Sequence, residues 1–171
     1  MELSIFGNVP EMITSAVAFA GAIFAIVQWR GSNKLKRAEF LKEITEKLHS
    51  DEKISKILYK IEYSEPWYDA NFHGSPFEKE IDTFVAYVNY ICYLRNRKII
   101  KNEEFHLLAY EIKRICVNFD MQSYLWNLYN FSKKNEKDCS FQELIDYAKS
   151  ENIFDVDSKE NETKFTKRLN F

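Results

Sequence analysis

The sequence is poor in the residues that build common catalytic loops. It contains 4 glycines, 3 prolines and 3 histidines in 171 residues. It has no glycine-rich phosphate loop, nucleophile elbow, H-E-x-x-H pair or dinucleotide fingerprint. His49, His73 and His106 are scattered, and no two have ligand spacing on one helix. We therefore predict no metal and no cofactor, and an enzyme is the less favoured class.

A strong charge of either sign and a disulfide framework are also missing. The formal net charge is −2, so a dedicated nucleic-acid binder is not expected. Cys92, Cys116 and Cys139 are widely spaced and form no C-x-x-C pair. This usage is typical of reduced thiols in a cytoplasmic compartment. No strand pattern, internal repeat or heptad array is present.

One long uncharged run is present, at residues 12–29, with the sequence MITSAVAFAGAIFAIVQW. A helix of this length covers about 27 Å, close to the hydrocarbon thickness of a bilayer. Trp29 ends the run, where an amphipathic ring favours the membrane interface. The run predicts a single transmembrane helix. The alternatives are a buried core helix and a cleaved signal peptide, although residues 1–11 lack the lysine or arginine of a signal peptide.

Basic residues follow the run on its C-terminal side: Arg30, Lys34, Lys36 and Arg37. Because positive flanks stay in the cytoplasm, the N-terminus is predicted outside and the remaining chain inside. In a bacterium this location is the cell inner membrane. The same four residues predict contact with anionic lipid headgroups.

Small residues form a stripe along the predicted span: Thr14, Ala18, Gly21, Ala22 and Ala25. Such a stripe lets two helices approach closely. It raises the hypothesis of a homo-oligomer packed through the anchor, although small residues are common in any membrane helix.

The remaining chain reads as a series of amphipathic helices. We predict an all-α protein in which the transmembrane helix precedes a small cytoplasmic bundle of five or six helices. The predicted organisation is a short outer segment (1–11), the span (12–29), a basic segment with the first amphipathic helix (30–49), a helical domain (50–150) and a mobile polar tail (151–171). Residues 31–33 predict a helix break, with one continuous rod as the alternative. An antiparallel hairpin supplies the predicted core centre: Ile81, Val85, Val88, Ile112 and Ile115.

Several helix starts are predicted from capping residues. Ser75 followed by Pro76 and Glu78 is a capping box, and Ser140 with Glu143 is a second. Further predicted starts are Ser50, Asn102 and Asp120.

The loop at residues 63–75 is the first candidate site. It gathers rings and carboxylates, and its candidate interaction residues are Glu65, Trp67, Tyr68, Asp69 and His73, accompanied by Phe72. Rigid rings in a loop suit recognition of a partner, but they also suit a lid folded over the core. A catalytic Asp69–His73 pair is the weakest of the three readings, since it lacks a nucleophile or metal. We predict burial for Trp67 and exposure for Tyr68 and Asp69.

The second candidate site is a basic turn formed by Arg95, Arg97, Lys98 and Lys101. It predicts contact with anionic lipid or an acidic partner. The alternative is a solvated turn after a helix C-terminus, where cations favour the dipole. Asp82 is either a buried acid paired with Arg114 or a boundary residue.

Five short segments carry a resemblance to known proteins: R-A-E-F-L at 37–41, S-D-E-x-I-S-x-I at 50–57, W-Y-D with F-H-G-S at 67–75, Y-I-C-Y-L at 90–94 and N-L-Y-N-F-S-K-K at 127–134. With the anchor before them, they resemble an uncharacterised bacterial family of single-pass membrane-anchored proteins of unknown function. Some similar proteins occur beside phage-defence genes. The resemblance therefore implies a role in antiviral defence or regulation.

These observations favour a membrane-anchored interaction or regulatory module without evident catalytic activity. Its expected partners are the lipid bilayer and a protein, which includes a second copy of the chain. The alternative is a membrane-acting effector of a phage-defence or toxin system. An uncharacterised hydrolase is the third hypothesis.

Overall fold

A computed structural model describes residues 9–165, apart from the side chains of residues 9–12, 15–16 and 162. Over that range the chain forms seven helices and no strand, which confirms the predicted all-α class. The helices are α1 (Val9–Ser50), α2 (Glu52–Glu62), α3 (Pro76–Asn96), α4 (Asn102–Val117), α5 (Phe119–Lys134), α6 (Gln142–Ser150) and α7 (Lys159–Phe165).

Helix α1 is unbroken over its 42 residues, so the break predicted at residues 31–33 is absent and the continuous rod is observed. A glycine inside a helix costs only about 1 kcal/mol relative to alanine, and the good helix formers on both sides outweigh that cost. The chain divides into two units, Met1–Ile44 and Thr45–Phe171.

The first unit consists of α1 as far as Ile44. Its large apolar side chains are exposed, from Ile13 and Val17 to Val27 and Trp29. The predicted span at residues 12–29 lies in this part of α1, and the side chains of Met12, Ser15 and Ala16 lie outside the described residues. None of the helices within the described part of the chain is long and apolar enough to cross a membrane.

The second unit has its core between α3, α4 and α6. The five predicted core residues, Ile81, Val85, Val88, Ile112 and Ile115, are each 0–1% exposed, which confirms them. The inward positions of α3 and α4 recur at three- and four-residue spacing, so each helix buries one continuous face. From α6, Leu144 and Tyr147 are buried as well.

One of the five predicted helix starts agrees with the structure, and four differ. Ser75 caps α3 as predicted, whereas α2 is capped not by Ser50 but by Asp51, which accepts hydrogen bonds from the N–H groups of Lys53 and Ile54. The cap position of α4 is Lys101 and not Asn102, α5 is capped by Asn118 and not by Asp120, and Ser140 makes no cap for α6. For α6 the side chain of Asn89, on α3, accepts from the Leu144 N–H at 2.9 Å.

The segment after α6 differs from the predicted polar tail. Phe154, Val156 and Phe165 are buried, and the Phe165 ring lies 5.5 Å from the Phe119 ring and 6.0 Å from the Trp126 ring, centre to centre. The sequence offered docking of Phe165 as an alternative to a mobile tail, and this alternative agrees with the structure. Phe154 and Val156 follow no helical period, so the sequence pattern did not indicate their burial. Residues 166–171, which complete the predicted tail, lie outside the described residues.

Candidate functional site

The aromatic loop, residues 63–75, connects α2 to α3 and is built from turns. Ser64 and Gly74 have positive φ angles of 51° and 81°. The N–H groups of Phe72 and Ser75 donate to the carbonyls of Asp69 and Phe72 at 3.2 and 3.1 Å. These bonds satisfy the backbone where no helix is present.

Three rings of the aromatic loop fold inward. Trp67, Tyr68 and Phe72 are 7%, 5% and 3% exposed. The Trp67 ring centre lies 5.3 Å from that of Phe72 and 6.0 Å from that of Tyr124 on α5. The predicted burial of Trp67 is confirmed, whereas the predicted exposure of Tyr68 is wrong. Asp69 and Glu65 are exposed.

The buried carboxylate of Asp120 on α5 binds the backbone of the aromatic loop at Trp67 and Tyr68. Oδ2 of Asp120 accepts hydrogen bonds from the N–H groups of Trp67 and Tyr68 at 2.8 and 3.3 Å. Asp120 is 8% exposed and lies in the first turn of α5, where the helix dipole favours a negative charge. The sequence suggested Asp120 only as a helix start, because its partners are more than 50 residues away.

Tyr68 belongs to a hydrogen-bonded chain of four side chains. The Asn127 amide donates to the Tyr68 hydroxyl at 2.6 Å, and that hydroxyl lies 3.2 Å from Nε2 of His73. Nδ1 of His73 lies 2.8 Å from Oε1 of Glu78. Since the carboxylate only accepts, a neutral imidazole carries its proton on Nδ1 and accepts from Tyr68 on Nε2.

Glu78 makes a capping bond different from the predicted one. Its second oxygen accepts the Gly74 N–H at 2.6 Å, one residue before the cap residue Ser75. Partial burial alone would raise the pKa of the Glu78 carboxyl, but the hydrogen bonds from His73 and Gly74 outweigh burial and lower the pKa. Asp69 therefore does not pair with His73, and Glu78 occupies that place.

Asp82 accepts a hydrogen bond from the Tyr124 hydroxyl and does not pair with Arg114. Burial, together with this carboxylate, raises the pKa of Tyr124 well above its ordinary value. Arg114 instead contacts Glu62 at 2.9 Å and Glu111 at 2.5 Å. Asp82 is an exposed residue, which agrees with the boundary reading.

The four residues of the basic turn differ in exposure, since Arg95 is half-buried and the other three are exposed. Arg95 turns inward, 3.2 Å from Glu151 and stacked over Phe105 and Tyr147 at 4.8 and 4.9 Å. Arg97, Lys98 and Lys101 are exposed. Only these three cations remain as a surface group, while Arg95 is a packing residue.

The thiol groups of the three cysteines are buried or partly buried, as small apolar side chains would be. Cys92 and Cys116 are buried and free, and burial raises the pKa of Cys116 to about 12 and also raises that of Cys92. Burial likewise raises the pKa of the half-buried Cys139. A thiol with a raised pKa is a poor nucleophile at neutral pH.

The remaining candidate residues concern metal binding, the small-residue stripe and the basic flank. Within residues 9–165 no group of three or more histidine, cysteine or acidic side chains could hold a metal ion. Thr14, Ala18, Gly21, Ala22 and Ala25 are exposed on α1, and a Cβ added at Gly21 would meet nothing within 4 Å. Of the basic flank, Arg30, Lys34 and Lys36 are exposed and Arg37 is half-buried.

Comparison with known proteins gives no match to a family model, a curated protein or a solved structure.

Proposed function

We propose that the chain is a membrane-anchored interaction or regulatory module, in which residues 12–29 insert into a bilayer and the helical unit binds a protein partner. The observation that supports this proposal is the exposed apolar surface of α1 between residues 13 and 29. Its exposed large side chains are Ile13 (59%), Val17 (66%), Phe19 (71%), Ile23 (48%), Phe24 (69%), Ile26 (49%), Val27 (62%) and Trp29 (65%).

A helix that is apolar on every side is stable when it is buried in a core or in lipid. Large exposed apolar patches are rare on monomeric proteins in water. The described helices do not meet the length and hydropathy of a membrane span. The proposal therefore rests on these exposed side chains and on the absence of charge from residue 12 to residue 29.

The orientation in this proposal follows from the basic flank. Arg30, Lys34, Lys36 and Arg37 lie on the cytoplasmic side, beside anionic lipid headgroups. The N-terminus lies outside, and the helical unit lies in the cytoplasm of a bacterium. An alkaline phosphatase fusion after Phe171 is then expected to be inactive, and an active fusion would reverse the orientation.

The exposed cations of the basic turn, Arg97, Lys98 and Lys101, support contact of the helical unit with an acidic partner or with anionic lipid. The aromatic loop supports binding less well, because three of its rings are buried. Only Glu65 and Asp69 remain exposed among its polar candidates, with His73 half-buried.

Membrane fractionation of the full chain tests the anchor. We expect the wild-type protein to stay in the membrane pellet after alkaline carbonate extraction. Phe24→Lys places a charge in the centre of the run, where it costs about 2.5–3.5 kcal/mol, and should shift protein to the supernatant. Leu35→Lys, at a comparably exposed position outside the run, is the matched control and should stay in the pellet. Wild-type protein released by carbonate would contradict the proposal.

The second candidate function is a membrane-acting effector, favoured by the exposed small-residue stripe on α1. Packing of several spans through this stripe would perturb the bilayer. Induced expression should then dissipate the membrane potential, and Gly21→Ile should abolish that effect by blocking close approach. Unchanged membrane potential at high expression would remove this candidate.

A further inference from the structure

An open cleft of about 530 Å³ lies where the end of α3, the basic turn and the start of α4 meet. Its charged lining residues are Arg95, Lys98 and Lys101, and among the described residues no carboxylate lines it. The other lining residues are uncharged: Asn96, Ile100, Asn102 and Ser150. We call this cleft the basic cleft. Ligand pockets in proteins have volumes of about 300–1,000 Å³, so the basic cleft is large enough for a small molecule.

The turn that ends α3 places Lys98 at the basic cleft. The Lys98 N–H donates to the Arg95 carbonyl at 2.9 Å, which closes the C-terminus of the helix. Lys98 has a φ of 57°, in the left-handed region that glycine or asparagine adopts at lower cost than lysine. The backbone of the turn therefore does not favour a lysine at this position, and the presence of one indicates a use for its charge.

The carboxylates nearest to the basic cleft are bound to groups of the chain itself. Glu104 accepts the Lys101 N–H, Glu143 accepts the Asn96 amide, and Glu151 pairs with Arg95 and Lys113. Around the basic cleft, five cations outnumber four carboxylates: Arg95, Arg97, Lys98, Lys101 and Lys113 against Glu103, Glu104, Glu143 and Glu151. The region is therefore positive when every neighbouring acid is counted.

The uncompensated charge of the basic cleft belongs to Lys98 and Lys101. Both are exposed, and within residues 9–165 neither ammonium group has an ion-pair partner, whereas Arg95 already pairs with Glu151. The dipole of α4 adds to this charge, because the ammonium group of its cap residue, Lys101, can only donate and caps no N–H group. Hydrogen-bond donors thus converge on the cleft without acceptors of matching charge.

We propose that the basic cleft binds a phosphate group, carried by a small soluble molecule or by a lipid headgroup. A phosphate offers up to two negative charges and at least three acceptor oxygens, which suit two lysines and the Asn102 amide together. A carboxylate offers one charge and two oxygens. The inference rests on the proposed function in taking the basic turn as a contact surface. It does not depend on the anchor, because the cleft belongs to the unit Thr45–Phe171.

Backbone amide chemical shifts of the full chain test the proposal, in micelles of a neutral maltoside detergent that contains no phosphate. Inorganic phosphate should shift the amide signals of Lys98, Lys101 and Asn102 saturably, whereas acetate at equal ionic strength should not. Lys98→Asn and Lys101→Gln should each weaken binding by about tenfold, the loss expected when one charge-assisted hydrogen bond is removed. Lys137→Asn, at an exposed lysine outside the cleft, is the matched control and should leave the affinity unchanged.

Lys98→Asn should melt no lower than the wild type, because asparagine tolerates the left-handed backbone, so its lost binding would not come from unfolding. Phosphatidate added to the micelles separates the two sources. The same shifts without inorganic phosphate would assign a lipid headgroup, and shifts with inorganic phosphate alone would assign a soluble ligand. No saturable shift with either probe would overturn the proposal, as would equal affinities of Lys98→Asn, Lys101→Gln and Lys137→Asn. Release of the wild-type chain by carbonate would remove the anchor and leave phosphate binding unaffected.

Discussion

At the scale of single residues, Asp120 links the aromatic loop to the helical unit. It is a buried carboxylate that accepts two backbone N–H groups from residues more than 50 positions away. A buried charge is tolerable only when hydrogen bonds replace its hydration, and here the first turn of α5 adds a favourable dipole. Its loss would leave the Trp67 and Tyr68 N–H groups buried without this acceptor.

We therefore expect Asp120→Ala to destabilise the protein strongly. Each buried donor left unsatisfied costs about 1–3 kcal/mol. Urea unfolding of the full chain measures the effect, and Asp138→Ala, at an exposed acid in the loop before α6, is the control that should change stability by less than about 0.5 kcal/mol. Equal stability of the two variants would show that Asp120 does not hold the loop.

Trp67 and Tyr68 are expected to behave alike, in contrast to the split predicted from the sequence. Replacing a buried aromatic ring by alanine costs about 3–5 kcal/mol, so Trp67→Ala and Tyr68→Ala should both lower the melting temperature. Trp67→Phe should be milder, because the indole N–H has no hydrogen-bond partner among residues 9–165. A melting temperature of Tyr68→Ala equal to that of the wild type would restore the prediction of an exposed tyrosine.

Glu78 gives the stability of the protein a pH dependence of known sign. Its pKa is lower in the folded chain than the ordinary value of 4.5, so its stabilisation is complete above about 4.5 and is lost as the pH falls through the folded pKa. Glu78→Gln should remove the loss of stability that comes from protonation of Glu78. The free energy of unfolding should then fall less steeply between about pH 5 and pH 3, the range in which carboxyl groups titrate. Glu80→Gln is the control, and identical curves for Glu78→Gln and the wild type would contradict the His73–Glu78 contact.

At the scale of helices, the buried faces were predictable from the sequence, whereas of the predicted helix starts only the cap at Ser75 was correct. The inward positions of α3 and α4 follow from apolar spacing within one helix, which is why the five core residues were found. The cap of α6 comes from Asn89 on another helix, and the partners of Asp120 and Tyr68 come from distant segments. Such contacts leave no local pattern. Tyr68 was expected to be exposed because its hydroxyl is polar, but Asn127 and His73 satisfy that hydroxyl inside the protein.

Asn89 is expected to stabilise α6 through a cap supplied by another helix. Its side-chain oxygen accepts the Leu144 N–H, and its amide lies 3.4 Å from the Ser140 carbonyl. Asn89→Ala should cost about 0.5–2 kcal/mol, the range for loss of a helix cap, in thermal unfolding of the full chain. Ser140→Ala should cost less, because the Ser140 hydroxyl does not cap α6. The opposite order would reinstate the capping box predicted from the sequence.

At the scale of the whole molecule, the two units differ in how their apolar residues are covered. The unit Thr45–Phe171 buries its core within itself, whereas the large apolar side chains of α1 between residues 13 and 29 are exposed. A membrane is the environment that we propose for them. The basic residues after the run and the exposed cations of the basic turn would then face anionic lipid or an acidic partner.

Cysteine labelling in opened membrane vesicles tests this central claim most directly. In a Cys139→Ser background, Phe24→Cys and Leu35→Cys each introduce one exposed thiol, since the native side chains are 69% and 63% exposed. If α1 crosses the bilayer, a water-soluble maleimide should label residue 35 in opened vesicles and leave residue 24 unlabelled, because hydrocarbon excludes the thiolate that reacts. After denaturation in detergent, each variant should take up one label more than the Cys139→Ser background, in which Cys92 and Cys116 then react as well. Equal labelling of the two positions in the opened vesicles would contradict the membrane anchor.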